Sequence, residues 1–297
     1  MEISKPIFIV GTGRNGSTIL YRLFTEHPKA AWISGVLDHY PGNPGLNNSL
    51  RAAREWPLLC SVLRPRLNPS EGYNYWETLH PGFRNTCRDL NSEDVTPKTR
   101  DKIIQSLPKL LTTKRNRLVM KLTGWPRMGF LSEICPDAKF IHILRDGRAV
   151  ANSFLNVDWW TGWRGPQCWR WGELTPQHKE EWVRHQKSYV VLAAIEWKLL
   201  MAAFEKAKMG IPPQNYMEIT YEKLCSNLLV ALKEMMEFCE LGWSQKFETA
   251  VKGYTLANAN DKWKQDLSED QQTAIESVLR YELAKYGFTR SDDPLDG

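Results

Sequence analysis

The chain contains no C-x-x-C pair, no internal repeat, no low-complexity segment and no long apolar run. Its six cysteines, Cys60, Cys87, Cys135, Cys168, Cys225 and Cys239, stand far apart. That spacing excludes the common zinc motifs and gives no disulfide framework, so reduced thiols in a cytoplasmic protein are expected. The first apolar run, "PIFIV", is far too short for a signal-peptide core or a membrane span, so no membrane association is expected. Charge of one sign is also scarce: 39 basic residues against 34 acidic ones leave +5. So small a surplus argues against a dedicated nucleic-acid binder, whose basic residues crowd one stripe. It fits a protein with one local anion site.

With 297 residues the chain can hold one large α/β domain or two small ones. Hydrophobic residues make up 42%, enough for a real core. Short apolar runs at Lys5–Val10, Lys29–Ser34, Arg117–Thr123, Ala138–Leu144 and Asn215–Thr220 predict strands. Apolar residues spaced at three and four predict helices over Gly16–Glu26, Thr99–Leu111, Met128–Ile134, Arg148–Phe154, Tyr189–Lys208, Glu222–Glu240 and Glu269–Tyr286. Strands alternating with helices imply an α/β fold with a central parallel sheet flanked by helices. Two regions break the alternation. Asp38–Asn91 is rich in Pro, Gly and Asn, and Asn156–Trp182 carries six of the 13 tryptophans. Long irregular connections tend to be lids or binding loops, although tryptophans also plug cores well. The polar tail "SDDPLDG" is expected to fray.

Chemistry concentrates in two turns. The first, "GTGRNGST", nearly has the spacing of a nucleotide triphosphatase loop, G-x-x-x-x-G-K-S/T, but Ser17 stands in the lysine place and Arg14 lies inside the loop. A glycine turn between strand and helix offers backbone amides and the positive helix end to an anion. Arg14 adds a planar fork of donors suited to oxyanions. The strands before "NYMEIT" end in no aspartate that could support a metal ion, so metal-assisted phosphoryl transfer is poorly equipped and no metal is expected. In the second turn, "KFIHILRDGRAVANSF", Arg145 stands at a strand's carboxyl end and Ser153 follows eight residues later. Ligands of open α/β sheets bind at such ends, so both turns could meet one ligand carrying two separated anionic groups.

Together these stretches resemble the sulfotransferases that use 3′-phosphoadenosine 5′-phosphosulfate. That family has a loop K/R-S-G-S/T-S/T after its first strand, which holds the 5′-phosphosulfate. Here Arg14, Asn15, Gly16, Ser17 and Thr18 take those places, with Gly13 before them. The family's 3′-phosphate motif pairs a strand-end arginine with a serine eight residues on, as Arg145 and Ser153 stand here. A Y-E-x-L box approaches the adenine, matched by Tyr221 and Glu222. The late loop over the nucleotide is matched by Lys262, Trp263 and Lys264 in "NDKWKQDL". The resemblance implies a P-loop-like sulfotransferase fold, this nucleotide as donor, the 3′,5′-bisphosphate as product, and no metal. It runs from residue 11 to about 264, so 1–297 is expected to be one domain, with insertions at about 38–98 and 156–183 forming an acceptor-side cap.

Two departures bear on catalysis. Many cytosolic members carry K-x-H at the end of the third strand. Lys121 matches the lysine here, to help the leaving group, but Thr123 stands in the histidine's place. Other branches use a glutamate several residues beyond an "HP" pair; His27 and Pro28 match the pair, and Ser34 and Gly35 fill the glutamate's surroundings. The nearest carboxylate, Asp38, is the expected base, with His39, Glu77, His80 and Asp158 as rivals. For the acceptor, Tyr73, Tyr75, Trp76 and the tryptophans from Trp159, Trp160 and Trp163 to Trp171 could wall an aromatic pocket. Such a wall suits a flat or cationic small molecule, or a saccharide. The expected activity is sulfuryl transfer to a hydroxyl or amine of a small-molecule acceptor. An ATP-dependent small-metabolite kinase and a nucleotide-binding regulator without catalysis stay open as alternatives.

Overall fold

The structure is a computed structural model that describes residues 2–289 apart from 57, 60, 61, 64–66 and 86; Cys60 and the tail "SDDPLDG" lie outside the described residues. Among these, five strands form one sheet: β1 (Ile7–Gly11), β2 (Ala30–Ala31), β3 (Arg117–Thr123), β4 (Lys139–Leu144) and β5 (Tyr216–Thr220). Their order is β2-β3-β1-β4-β5 and every pairing is parallel. Helices cover both faces. Phe8 and Val10 pack into one core with Met120, Leu122 and Phe130, while Ile7 and Ile9 pack into another with Leu20, Leu23 and Phe24. A strand buried on both faces shows an unbroken apolar run, and "PIFIV" is one. The chain leaves central β1 towards β2 and β3, then crosses to β4 and β5, so the carboxyl ends of β1, β3 and β4 share the edge where ligands of such sheets bind. Among the described residues no helix is long and apolar enough to cross a membrane.

The elements differ from the sequence expectation where other partners compete for the backbone. The strand expected over Lys29–Ser34 pairs with β3 only at Ala30–Ala31. Beyond it the chain turns to residues 68–70, with Ser70 N donating to Ile33 O at 2.8 Å and Gly35 N to Asn68 O at 3.0 Å. The helix expected over Glu222–Glu240 is two helices, Tyr221–Ser226 and Leu228–Phe238, parted by the non-helical backbone of Asn227. The region Asp38–Asn91 holds helices Pro44–Ala53 and Tyr73–Leu79, and helix Pro176–Arg184 lies at the end of the tryptophan region. Asn43 and Thr175 cap two of these, each followed by proline at the first helical position. Residues that look like turn punctuation therefore start helices.

A third core lies beyond the sheet's edge and takes up the tryptophans. Trp160, Trp169 and Trp171 pack with Phe154, Ile195 and Trp197, joining helices Gly147–Leu155, Tyr189–Lys208 and Glu269–Lys285. Glu196 is fully buried among them and accepts from Trp160 Nε1 at 2.7 Å. Burial disfavours its charged form and pushes its pKa well above the usual glutamate value.

Two predictions follow from these contacts. The unfolded chain gives up the Glu196 proton around pH 4.3, whereas the raised folded pKa holds it to higher pH, so this group's contribution to stability falls as pH rises above that point. Glu196→Gln should flatten the decline of Tm between pH 4.5 and 8; parallel curves for variant and wild type would refute the raised pKa. The second concerns Gly16, which has φ 89°, and a Cβ there would lie 2.3 Å from the Tyr221 ring. Gly16→Ala should cost about 1–3 kcal/mol in urea unfolding, and wild-type stability would show that the Tyr221 contact is not fixed.

Candidate active site

The β1 turn curls tightly at the sheet's carboxyl edge. Gly13, Arg14 and Gly16 all have positive φ, of 87°, 54° and 89°. Successive turns of this kind make the backbone concave around an anion. The following helix, Ser17–Thr25, begins at Gly16, which has no side chain to cap it, and its positive end faces the turn. Asn15 holds the turn in place. Its fully buried side chain donates to Ile143 O on β4 at 2.7 Å and accepts from Ser17 N at 3.3 Å. Gly11 makes room for it, because a Cβ there would lie 1.8 Å from the Asn15 amide. Asn15 thus supports the cradle from behind instead of facing a ligand.

On the β4 side the turn meets a second basic group. Arg145 donates to Arg14 O at 2.8 Å, to Asn260 Oδ1 at 2.9 Å and to Ala259 O at 3.1 Å. It lies 4.5 Å from the centre of the Tyr221 ring. Burial lowers its pKa from the ordinary arginine value, and it remains a cation. Arg14 Nε donates to Ser153 Oγ at 2.9 Å. Tyr221, whose hydroxyl is pushed up to about 12 mainly by burial, donates to Ala257 O at 2.8 Å. The structure therefore gathers Gly13, Arg14, Gly16, Ser17, Thr18, Arg145, Ser153 and Tyr221 around one turn. The late loop meets this group through Ala259 and Asn260. Lys262 and Lys264 pair with Asp266 and Asp261, and Trp263 is buried beneath the Arg148 guanidinium, 5.0 Å from its ring.

On the β3 side the turn opens into a cavity of about 450 Å³. Its walls include Arg14, Ser17 and Thr18 from the turn, Lys121 and Thr123 from β3, and Glu71, Tyr73, Arg84, Arg127, Trp159, Arg170 and Trp171. Lys121, in register with Ile9, sits between turn and wall. Its Nζ donates to Thr18 Oγ1 at 2.9 Å and pairs with Glu71 Oε1 at 2.6 Å. Thr123 Oγ1 donates to the same carboxylate at 3.1 Å. The pairing of residues 68–70 with 33–35 carries Glu71 to this edge. The Tyr73 hydroxyl then fixes the segment, donating to Thr123 O at 2.7 Å and accepting from Thr123 N at 3.2 Å.

Several expected site residues lie elsewhere. Asp38, expected as base, accepts from Asn74 N at 2.8 Å and from Ser70 Oγ at 3.0 Å, which caps helix Tyr73–Leu79 and occupies both oxygens. His39 is exposed beside Tyr40. Tyr75 and Trp76 are core residues: Tyr75 donates to Ser106 O, and Trp76 stacks on Phe83 at 4.7 Å. Trp160 is buried on Glu196, and Trp163 is 58% exposed away from the cavity wall; of the expected tryptophans between 159 and 171, Trp159 and Trp171 line it. Among the rivals for base, Glu77 accepts from Gly82 N and Arg84 N, and His80 packs on Phe130. The residues the sequence reading missed are Glu71, Arg84, Arg127, Arg170 and Asn260. One signal was available: Glu71 is the sole acidic residue between Glu55 and Glu77, two places before the aromatic stretch at Tyr73.

Residues 6–245 match the model of the sulfotransferase family. Among solved structures, sulfotransferase STF9 from Mycobacterium avium superposes with a TM-score of 0.62 at 14% identity, covering 100% of this chain and 79% of that one. Sulfotransferase STF1 from Mycobacterium tuberculosis H37Rv gives 0.53 at 15% identity, covering 94% and 76%. Both likenesses concern the fold. An uncharacterized protein of Aquifex aeolicus (strain VF5) is 22% identical over 98% of this chain, which spans 33% of that relative's length. With the family model covering most of the sequence, and the same fold carrying its loops, the chain belongs to the sulfotransferase family.

Proposed function

We propose that the chain transfers a sulfuryl group from 3′-phosphoadenosine 5′-phosphosulfate to a hydroxyl or amine of a small-molecule acceptor, by in-line displacement. The observation that carries this reading is Lys121, which touches Thr18 of the anion-binding turn and Glu71 of the cavity wall at once. The residues fit the nucleotide: a concave, uncapped turn with Arg14 for one anionic end, and Arg145 with Ser153 and Tyr221 for the other. When bound, that nucleotide supplies an activated sulfuryl group. Arg14 and Lys121 then offer fixed positive charge where negative charge builds on the departing phosphate. The two insertions, about 38–98 and 156–183, serve as the acceptor-side cap, since Glu71, Tyr73 and Arg84 come from one and Trp159, Arg170 and Trp171 from the other.

Glu71 takes the place of Asp38 as the base. Thr123, which stands where relatives carry a histidine, donates to the Glu71 carboxylate, and Lys121 holds one of its oxygens. An acceptor in the cavity passes its hydroxyl proton to that carboxylate as the new O–S bond forms. Kinetics with an aliphatic alcohol acceptor test this. Glu71→Gln should lower kcat about 10²–10⁴-fold. Arg14→Ala should lower kcat about 10²–10³-fold, while Asp38→Asn stays within about twofold. A Glu71→Gln enzyme with wild-type kcat would contradict the assignment.

A further inference from the structure

The cavity's charge does not balance. Its lining holds five cationic side chains, Arg14, Lys121, Arg84, Arg127 and Arg170, and one carboxylate, Glu71. Arg14 belongs to the donor turn, and Lys121 is paired with Glu71. The other three arginines have no carboxylate within ion-pair distance among the described residues. Arg84 is exposed and donates to the neutral Asn74 Oδ1 at 2.6 Å. Arg127 is buried. Its guanidinium reaches only carbonyl oxygens, of Phe83 at 3.2 Å, Thr123 at 3.3 Å and Trp125 at 2.9 Å, and lies 5.5 Å over the Tyr73 ring. The nearby Asp89 carboxylate accepts through Oδ1 from the main-chain amides of Arg127 and Leu90 and makes no ion pair with the Arg127 guanidinium.

Arg170 is held in the same way by its surroundings. It has φ 77°, a left-handed conformation that a side-chain-bearing residue resists. Its neighbours Trp169 and Trp171 are buried in the third core and keep it there. A guanidinium with no ion-pair partner at the cavity wall keeps a planar fork of donors that fits an oxyanion well. The aromatic wall of Tyr73, Trp159 and Trp171 suits a flat ring, but the three unpaired arginines repel a cationic one, so the electrostatics oppose the cationic acceptor that the tryptophans alone suggest.

Building on the sulfotransferase reading above, we infer that the natural acceptor carries an oxyanionic group, a carboxylate, phosphate or sulfate, besides the hydroxyl or amine it presents for sulfation. Arg84, Arg127 and Arg170 receive that group. They act as specificity determinants, apart from the donor turn and from Glu71.

The test is calorimetric titration of the full chain saturated with 3′-phosphoadenosine 5′-phosphate. The probes are 4-hydroxybenzoate, 4-hydroxyphenyl phosphate, 4-hydroxyphenyl sulfate, neutral 4-hydroxybenzyl alcohol and cationic tyramine. At least one anion should bind about tenfold or more tighter than the alcohol, with tyramine weakest, and the preferred anion identifies the group. The double variant Arg84→Gln/Arg170→Gln, both positions exposed, should weaken that anion about tenfold while alcohol and bisphosphate binding stay within about twofold. Alcohol or tyramine binding as tightly as the anions, no anion binding, or unchanged affinity in the double variant would overturn the inference alone. Failure of the bisphosphate itself to bind would overturn the sulfotransferase reading, and this inference with it.

Discussion

The ion pair between Lys121 and Glu71 is the contact on which the site's organisation depends. One partner comes from the interior of the sheet, the other from an irregular segment that reaches the sheet's edge only by pairing with residues 33–35. Both side chains are largely withdrawn from water, so removing either would leave an uncompensated charge. The same lysine donates to Thr18, which ties the glycine-rich turn and the cavity wall into one unit. In a nucleotide triphosphatase the loop carries its own lysine. Here Ser17 stands at that place, and the cation arrives from the neighbouring strand.

Around this centre the chain spends much of its aromatic content on rigidity. Trp160, Trp169 and Trp171 are core residues, and the buried carboxyl of Glu196 fixes Trp160 from within. One consequence is functional: a wall built on a packed core presents Trp171 and Arg170 to the cavity without waiting for a ligand to order them. Asp38 does comparable work by capping helix Tyr73–Leu79, which holds Tyr73 against the end of β3. Residues that look catalytic in isolation are often the scaffolding that places the catalytic ones.

The sheet and the donor turn were legible in the sequence, because their signals are local. An unbroken apolar run, glycines at places needing positive φ, and an arginine at a strand's end need no tertiary knowledge. The cavity's far wall was not legible, since Glu71, Arg84, Arg127 and Arg170 come from distant stretches of the chain that meet only in the folded structure. Asp38 misled because proximity in sequence to the strand end resembles proximity in space. Tyr75 and Trp76 misled because an aromatic residue near a pocket and one beneath it look alike until the helix face is known. Proline and asparagine concealed helices by serving as their first residues.

The central claim is that the turn and the Arg145 cluster form one site for a nucleotide with separated anionic groups and no need of the P-loop lysine. Calorimetric titration with 3′-phosphoadenosine 5′-phosphate, run beside ATP with Mg²⁺, tests it most directly. The account predicts tight binding of the bisphosphate, unaffected by a chelator, and little heat from ATP. Preference for ATP with its metal ion would contradict it and make the turn a phosphoryl-transfer loop.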